Sequence, residues 1–199
     1  MKGLILDTTL KRPYVAVFDG DREDVVYFPE SLSTQSALIP ACRQALSNLD
    51  LAPADLEGIA AVVGPGSFTG IRIGVSFVNA MAFALGLPRF AVTSFDVMRF
   101  ACLEASCYLI DAGHDNFYAA KVENGFLSQQ NLDKKDVPAG AINQNDILDK
   151  LPKGALLAIR KALEEKAFSA CAPTFETTYL MPNYMRKSQA ERMKEDKND

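Results

Sequence analysis

The stretch that most constrains this chain covers residues 56–86, LEGIAAVVGPGSFTGIRIGVSFVNAMAFALG. Residues 56–63 are a short apolar run rich in small and β-branched side chains, the pattern of a buried strand. Gly64, Pro65 and Gly66 break the run, and Ser67 or Thr69 can cap a helix beyond it. From Gly70 the sequence predicts a long helix that stops at Gly86, ahead of Pro88. Among its apolar residues only Arg72, Ser76 and Asn79 interrupt, so the helix needs cover on nearly every side. One face can pack on its own sheet, and the other calls for a second helix of this chain or of another. Its length, with Arg72 and Asn79 inside it, argues against a membrane span.

A glycine-rich turn feeding a helix invites a phosphate-loop reading, because a helix N-terminus offers free N–H groups and a positive dipole end. The residues resist it. A Walker loop ends in Gly-Lys-Ser/Thr, whereas Gly70 is followed by Ile71 and Arg72. The dinucleotide fingerprint fails at its last glycine, where Thr69 stands. A tight strand-to-helix turn is the simpler account.

At 199 residues the chain can bury a substantial core, and 48% hydrophobic with 23% charged residues fits a globular protein. A formal net charge of −4 disfavours broad contact with nucleic acid. Cys42, Cys102, Cys107 and Cys171 form no CxxC pair and sit in apolar segments, so they read as reduced thiols. The opening MKGLILDTTL has too short an apolar stretch for a signal peptide. A cytoplasmic protein is expected.

In order, strands are expected at 3–6, 14–19 and 25–28, the last two joined by an Asp19-Gly20-Asp21 turn. A helix over 34–49 contains Pro40, which would kink it or mark its true start. After the central strand and helix come a strand at 90–93 and a helix over 94–104 capped by Ser94. Residues 107–110 then open a second series, with strands at 117–122 and 126–128 around Asn124-Gly125. A polar loop over 133–145, a short helix at 145–150, a strand at 155–159 and a helix at 160–170 complete the expectation, with loop and strand beyond. The organisation read from this is an N-terminal unit over 1–104, a reduced C-terminal unit over 105–185, and a charged tail over 186–199.

Chemistry is sparse. His114 is the sole histidine, which removes every motif that needs two on one helix face. It could act as a lone base beside Asp111 or Asp115, although no motif marks a nucleophile near it, and a loop histidine is the simpler reading. Asp7, Thr8 and Thr9 after the first strand could hold a metal-bound phosphate, with Asp111 at the equivalent place in the second series. An Asx-type turn is the competing explanation. The carboxylate pairs Asp7–Asp19 and Asp111–Asp115 are not fixed in space by sequence.

The run Gly64-Pro-Gly-Ser-Phe-Thr-Gly-Ile-Arg-Ile-Gly74 resembles the signature of the TsaB (YeaZ) family of glycoprotease-like proteins. Residues 4–9, 36–40, 109–112 with Phe117 and Tyr118, and 182–186 resemble other segments of that family, in the same order. The resemblance implies an α/β, actin-like (ribonuclease H-like) fold of two lobes, each a mixed sheet with flanking helices, the second reduced. It implies a non-catalytic role in threonylcarbamoyladenosine modification of adenosine 37 in ANN-decoding tRNAs, in support of the catalytic subunit TsaD. TsaD holds its metal with a histidine pair that this sequence lacks. The implied partners are a TsaD-like subunit, a TsaE-like ATPase in the larger assembly, and a second copy through the same helices, with tRNA contacted indirectly and no cofactor. Leu38, Ile39, Cys42, Ile73, Phe77, Val78 and Met81 are the implied interface. The competing reading is an actin-like ATPase or metal-dependent hydrolase acting alone, using Asp7, Thr8, Thr9 and Asp111.

Overall fold

A computed structural model describes residues 1–123, 126–165, 174–176 and 179–185. Its first sheet begins with β1 (Lys2–Asp7), β2 (Tyr14–Asp19) and β3 (Arg22–Tyr27), an antiparallel meander closed by the turn at Gly20. Helix α1 (Thr34–Asn48) comes next, then β4 (Gly58–Val62), α2 (Phe68–Leu85) and β5 (Arg89–Val92). Both β4 and β5 join parallel to β1, giving the order β10-β5-β4-β1-β2-β3 with β10 (Thr174–Glu176) antiparallel at the edge. After α3 (Ser94–Ala101), a second sheet forms from β6 (Cys107–Gly113), β7 (Asn116–Glu123), β8 (Phe126–Asp133) and β9 (Ile142–Asn143). Its order is β8-β7-β6-β9, with only β6 and β9 parallel. The last helix among the described residues is α4 (Leu151–Glu165).

Strand alternation divides the first sheet's side chains between two cores. Leu4, Leu6, Val15, Val17, Ile59 and Ala61 point to the α1–α2 side. Ile5, Tyr14, Ala16, Phe18, Ala60 and Val62 point the other way, into a core shared with α3, α4 and the second sheet's Tyr108, Ile110 and Ala120. The two sheets therefore share one interior, with α3 and α4 in it. This is the two-sheet α/β architecture of the actin-like, ribonuclease H-like class.

Three expectations differ from the structure. Residues 155–159 are not a strand: they lie inside α4, where Leu151, Ala155, Ala158, Ile159 and Ala162 are buried at helical spacing. Read alone, five apolar residues carry no period; the charges Lys153, Arg160 and Lys161 around them supply the helical one. Second, α4 and β10, assigned from sequence to the second unit, are carried on the first sheet. Gly3 and Gly58 make room there, since a Cβ on either would fall under 3 Å from a neighbouring ring or from Leu163. Third, Thr93 rather than Ser94 caps α3, exchanging bonds with Asp96 in a capping box. Pro40 is accommodated within α1, which starts at the Ser33 cap. The tail over 186–199, Asn124-Gly125 and Cys171 lie outside the described residues.

Candidate functional site

Two features are candidates: a cleft where strands of both sheets end, and the outward face of α1 and α2. The cleft is built around the 64–70 turn. Thr8 Oγ1 donates to the Gly70 carbonyl at 2.6 Å, and Ser67 N–H donates to the Thr9 carbonyl at 2.8 Å. The loop after β1 thus lies flat against the first turn of α2, and glycine is what permits it. A Cβ on Gly70 would stand 1.8 Å from the Thr8 carbonyl oxygen, and one on Gly74 would stand 2.4 Å from Thr8 Oγ1. Ser94 fastens the other side, donating its amide to Gly64 O and its hydroxyl to Pro65 O at 2.7 Å. Ser67 caps α2 by accepting the Gly70 amide.

The candidate residues of that loop are committed to holding it together. Asp7 is buried, and its Oδ1 accepts the Thr9 amide at 2.9 Å and the Thr9 hydroxyl at 2.7 Å. Burial lifts its carboxyl to about 6, although the bonds from Thr9 pull the other way. The Tyr14 hydroxyl is buried beside it, makes no hydrogen bond of normal geometry, and is pushed well up by burial and by the Asp7 charge. Asp7 and Asp19 stand at opposite ends of the β1–β2 ladder and form no pair. Asp111 is exposed and accepts the Gly113 amide at 2.7 Å. His114 and Asp115 are the exposed turn of the β6–β7 hairpin, both at positive φ, and Asp115 pairs with Lys134 at 3.3 Å. Among the described residues no three His, Cys, Asp or Glu side chains converge.

Thr9 and Asp111 do meet across a cleft of about 460 Å³, beyond the carboxyl ends of β1, β4, β6 and β9. Sequence reasoning raised Gly66 and Ser67 only as a turn and a cap, and did not find that the cleft brings them together with Lys11, Arg12, Gln144 and Asn145, with Leu10, Ile110 and Leu148 as the apolar side. They come from four separated segments, so no local pattern announces them. The actin-like fold implies a metal–nucleotide at such a place. Asp7 and Thr8 do not fit that group here: Asp7 is turned into its own loop, and the Thr8 hydroxyl is spent on Gly70.

The second feature is the helix pair. Gly70, Ile71, Gly74, Val75, Val78 and Ala82 form the buried stripe of α2, and Ile73, Phe77 and Met81 are half-buried along one flank. Phe83 is 73% exposed, and Ala80, Ala84 and Leu85 lie open with it. On α1, Ile39 is 53% exposed. Of the expected interface residues, Ile39, Ile73, Phe77 and Met81 reach the surface. Leu38, Cys42 and Val78 do not: they face the sheet, and burial pushes the Cys42 thiol up to about 12. Charge is scarce, with Arg43 alone in the 15 residues of α1 and Arg72 alone in the 18 of α2.

Arg72 and Asn79 have a local use. Asn79 Oδ1 accepts the Leu180 amide at 2.8 Å, and its Nδ2 donates to the Leu180 carbonyl at 3.0 Å. Arg72 Nε donates to the Tyr184 hydroxyl at 3.0 Å, and the Phe68 and Tyr184 rings meet at 4.7 Å. Residues 179–185 thus form a strap along one side of α2, tied also by Asn183 N–H to the Val63 carbonyl. By length and a mean hydropathy of 1.5, α2 would suffice to cross a membrane, contrary to the sequence expectation. Its glycine stripe, strap and sheet contacts identify it instead as a core helix with one face uncovered.

A two-lobed actin-like protein with an open helix pair and a committed loop aspartate defines the class. The family described as "TsaD: tRNA N6-adenosine threonylcarbamoyltransferase" matches residues 28–181, and the chain belongs to that family, on its TsaB (YeaZ) side. The tRNA threonylcarbamoyladenosine biosynthesis protein TsaB of Bacillus subtilis is 37% identical over 76 residues, 38% of this chain and 32% of that protein. The protein of the same name from Buchnera aphidicola is 28% identical over 98 residues, 48% of this chain and 45% of that protein. The matches thus span less than half the length of these two relatives. A Pseudomonas aeruginosa protein described as similar to peptidase YEAZ superposes with a TM-score of 0.73 at 22% identity, covering 93% of this chain and 99% of that one.

Proposed function

We propose that the chain is a non-catalytic subunit in threonylcarbamoyladenosine formation at adenosine 37 of ANN-decoding tRNAs. It binds a TsaD-type catalytic subunit through the α1–α2 face, and in that subunit's absence pairs with a second copy through the same face. A TsaE-type ATPase joins the larger assembly, tRNA is contacted through the partner, and the assembly works in the cytoplasm. The observation that carries this reading is the uncovered apolar face of α2, where Phe83 is 73% exposed and Ala80, Ala84 and Leu85 lie open. With it stands Ile39, 53% exposed on an α1 whose outer face is otherwise mostly polar but nearly uncharged. The commitment of Asp7 to Thr9, and a sequence with one histidine, favour it over a free-standing ATPase or metal-dependent hydrolase.

The test is capture of a TsaD-type subunit by the Ile39→Arg, Phe83→Arg variant. Both side chains are exposed, so the variant is expected to fold and to lose capture at least 100-fold. Leu103→Arg, at a residue 74% exposed outside α1 and α2, is expected to keep it. Undiminished capture by the double variant contradicts the proposal.

A further inference from the structure

Within the strap, Leu180 is buried in the core beneath α1 and α2, yet its two neighbours are turned to solvent: Met181 is 70% exposed and Tyr179 60%. Asn79 bonds both backbone groups of Leu180. The other end of the strap is fixed by Asn183 on Val63 and by Tyr184 on Arg72 and Phe68. Two large side chains are thus held outward by a segment pinned at both ends. Tyr179 is steadied further by the Arg89 guanidinium, 5.3 Å from its ring centre. Side chains ordered in advance lose little freedom on binding, and Tyr and Met are types that interfaces favour.

Their neighbourhood is the open helix face. Phe83 lies one turn of α2 beyond Asn79 on the same stripe, so the anchor of Leu180 and Phe83 are adjacent. Among the described residues, Ile39 and Phe83 are the large apolar side chains of α1 and α2 that are more than half exposed. A stable interface takes roughly 800 Å² from each partner, more than those two and the alanines beside them offer. The strap adds apolar area continuous with theirs.

We propose that the strap is a second wall of the docking face, with Tyr179 and Met181 in direct contact with the TsaD-type subunit. This rests on the proposed function and extends its contact surface beyond the helix pair.

The test is the affinity of a purified TsaD-type subunit for the full chain carrying Tyr179→Ser and Met181→Ser, alongside the oxidation rate of Met181 by dilute hydrogen peroxide in the free wild type and in its complex. The variant is expected to bind at least tenfold more weakly, with its unfolding temperature and its Leu180 amide exchange unchanged. Met181 is expected to oxidise at least tenfold more slowly in the complex. Full affinity in the strap variant, or equal oxidation of Met181 in both states, overturns the proposal. Loss of self-association alone, with the TsaD-type subunit still bound at full strength, assigns the strap to a contact between copies and overturns it too. None of these outcomes touches the loss of capture expected of Ile39→Arg, Phe83→Arg, so the two proposals fail separately.

Discussion

At the scale of single residues, the tightest constraint is the contact between Thr8 and the first turns of α2. Gly70→Ala would drive a methyl group to 1.8 Å from a backbone oxygen, which no side-chain rotation relieves. The expected loss is about 3 kcal/mol or more, read as a fall in the urea midpoint with unchanged m-value. Asp7 and Asp96 give a pH signature, because burial raises both carboxyls from 3.8 to about 6. Between those values the folded chain holds protons that the unfolded chain has released. Stability therefore falls as pH rises from about 4 to 6 and levels off above, by roughly 3 kcal/mol for Asp7 alone. Urea midpoints at half-unit pH steps check this, and Asp7→Asn should flatten the slope. The glycines of the 64–74 run and the Asp7-Thr8-Thr9 loop were legible separately in the sequence. That they exist for one another was not, because Thr8 and Gly70 are 62 positions apart.

At the scale of elements, α2 is held from below by its glycine stripe and from one side by the strap. Asn79 supplies both bonds to Leu180, so Asn79→Ala should cost about 1–3 kcal/mol. It should also raise the hydrogen-exchange rate of the Leu180 amide at least tenfold, with the β1 amides unaffected. The sequence showed α1 and α2 to within two residues and the meander to within three, the third strand starting at Arg22 rather than Val25, because each carries a clear period and a cap or turn signal. It misassigned Ala155–Ile159 because five small and branched apolar residues fit a buried strand and a buried helix equally well; the amphipathic pattern emerges only when Leu151 and Ala162 are included. It also read Arg72 and Asn79 as mere interruptions of an apolar helix. Their purpose lies in residues 179–185, more than a hundred positions away.

At the scale of the whole molecule, each face of the first sheet has its own core. The side bearing α3 and α4 is closed by the second sheet, whereas among the described residues the side bearing α1 and α2 has no second layer beyond the helices and the 179–185 strap. That asymmetry was legible from the sequence of residues 70–86. Which residues stand at the surface was not: helical phase turns Leu38, Cys42 and Val78 inward and leaves Ile39, Phe83 and Ala84 outward. A standard interface buries roughly 1,200–2,000 Å², and exposed apolar side chains spread over two helices can supply its centre. The most direct measurement is the affinity of the purified chain for a TsaD-type subunit, wild type against Ile39→Arg, Phe83→Arg, with thermal unfolding of each free chain recorded alongside. The account predicts binding lost at least 100-fold with the unfolding temperature of the free variant unchanged or raised. Binding of equal strength in both proteins would contradict it.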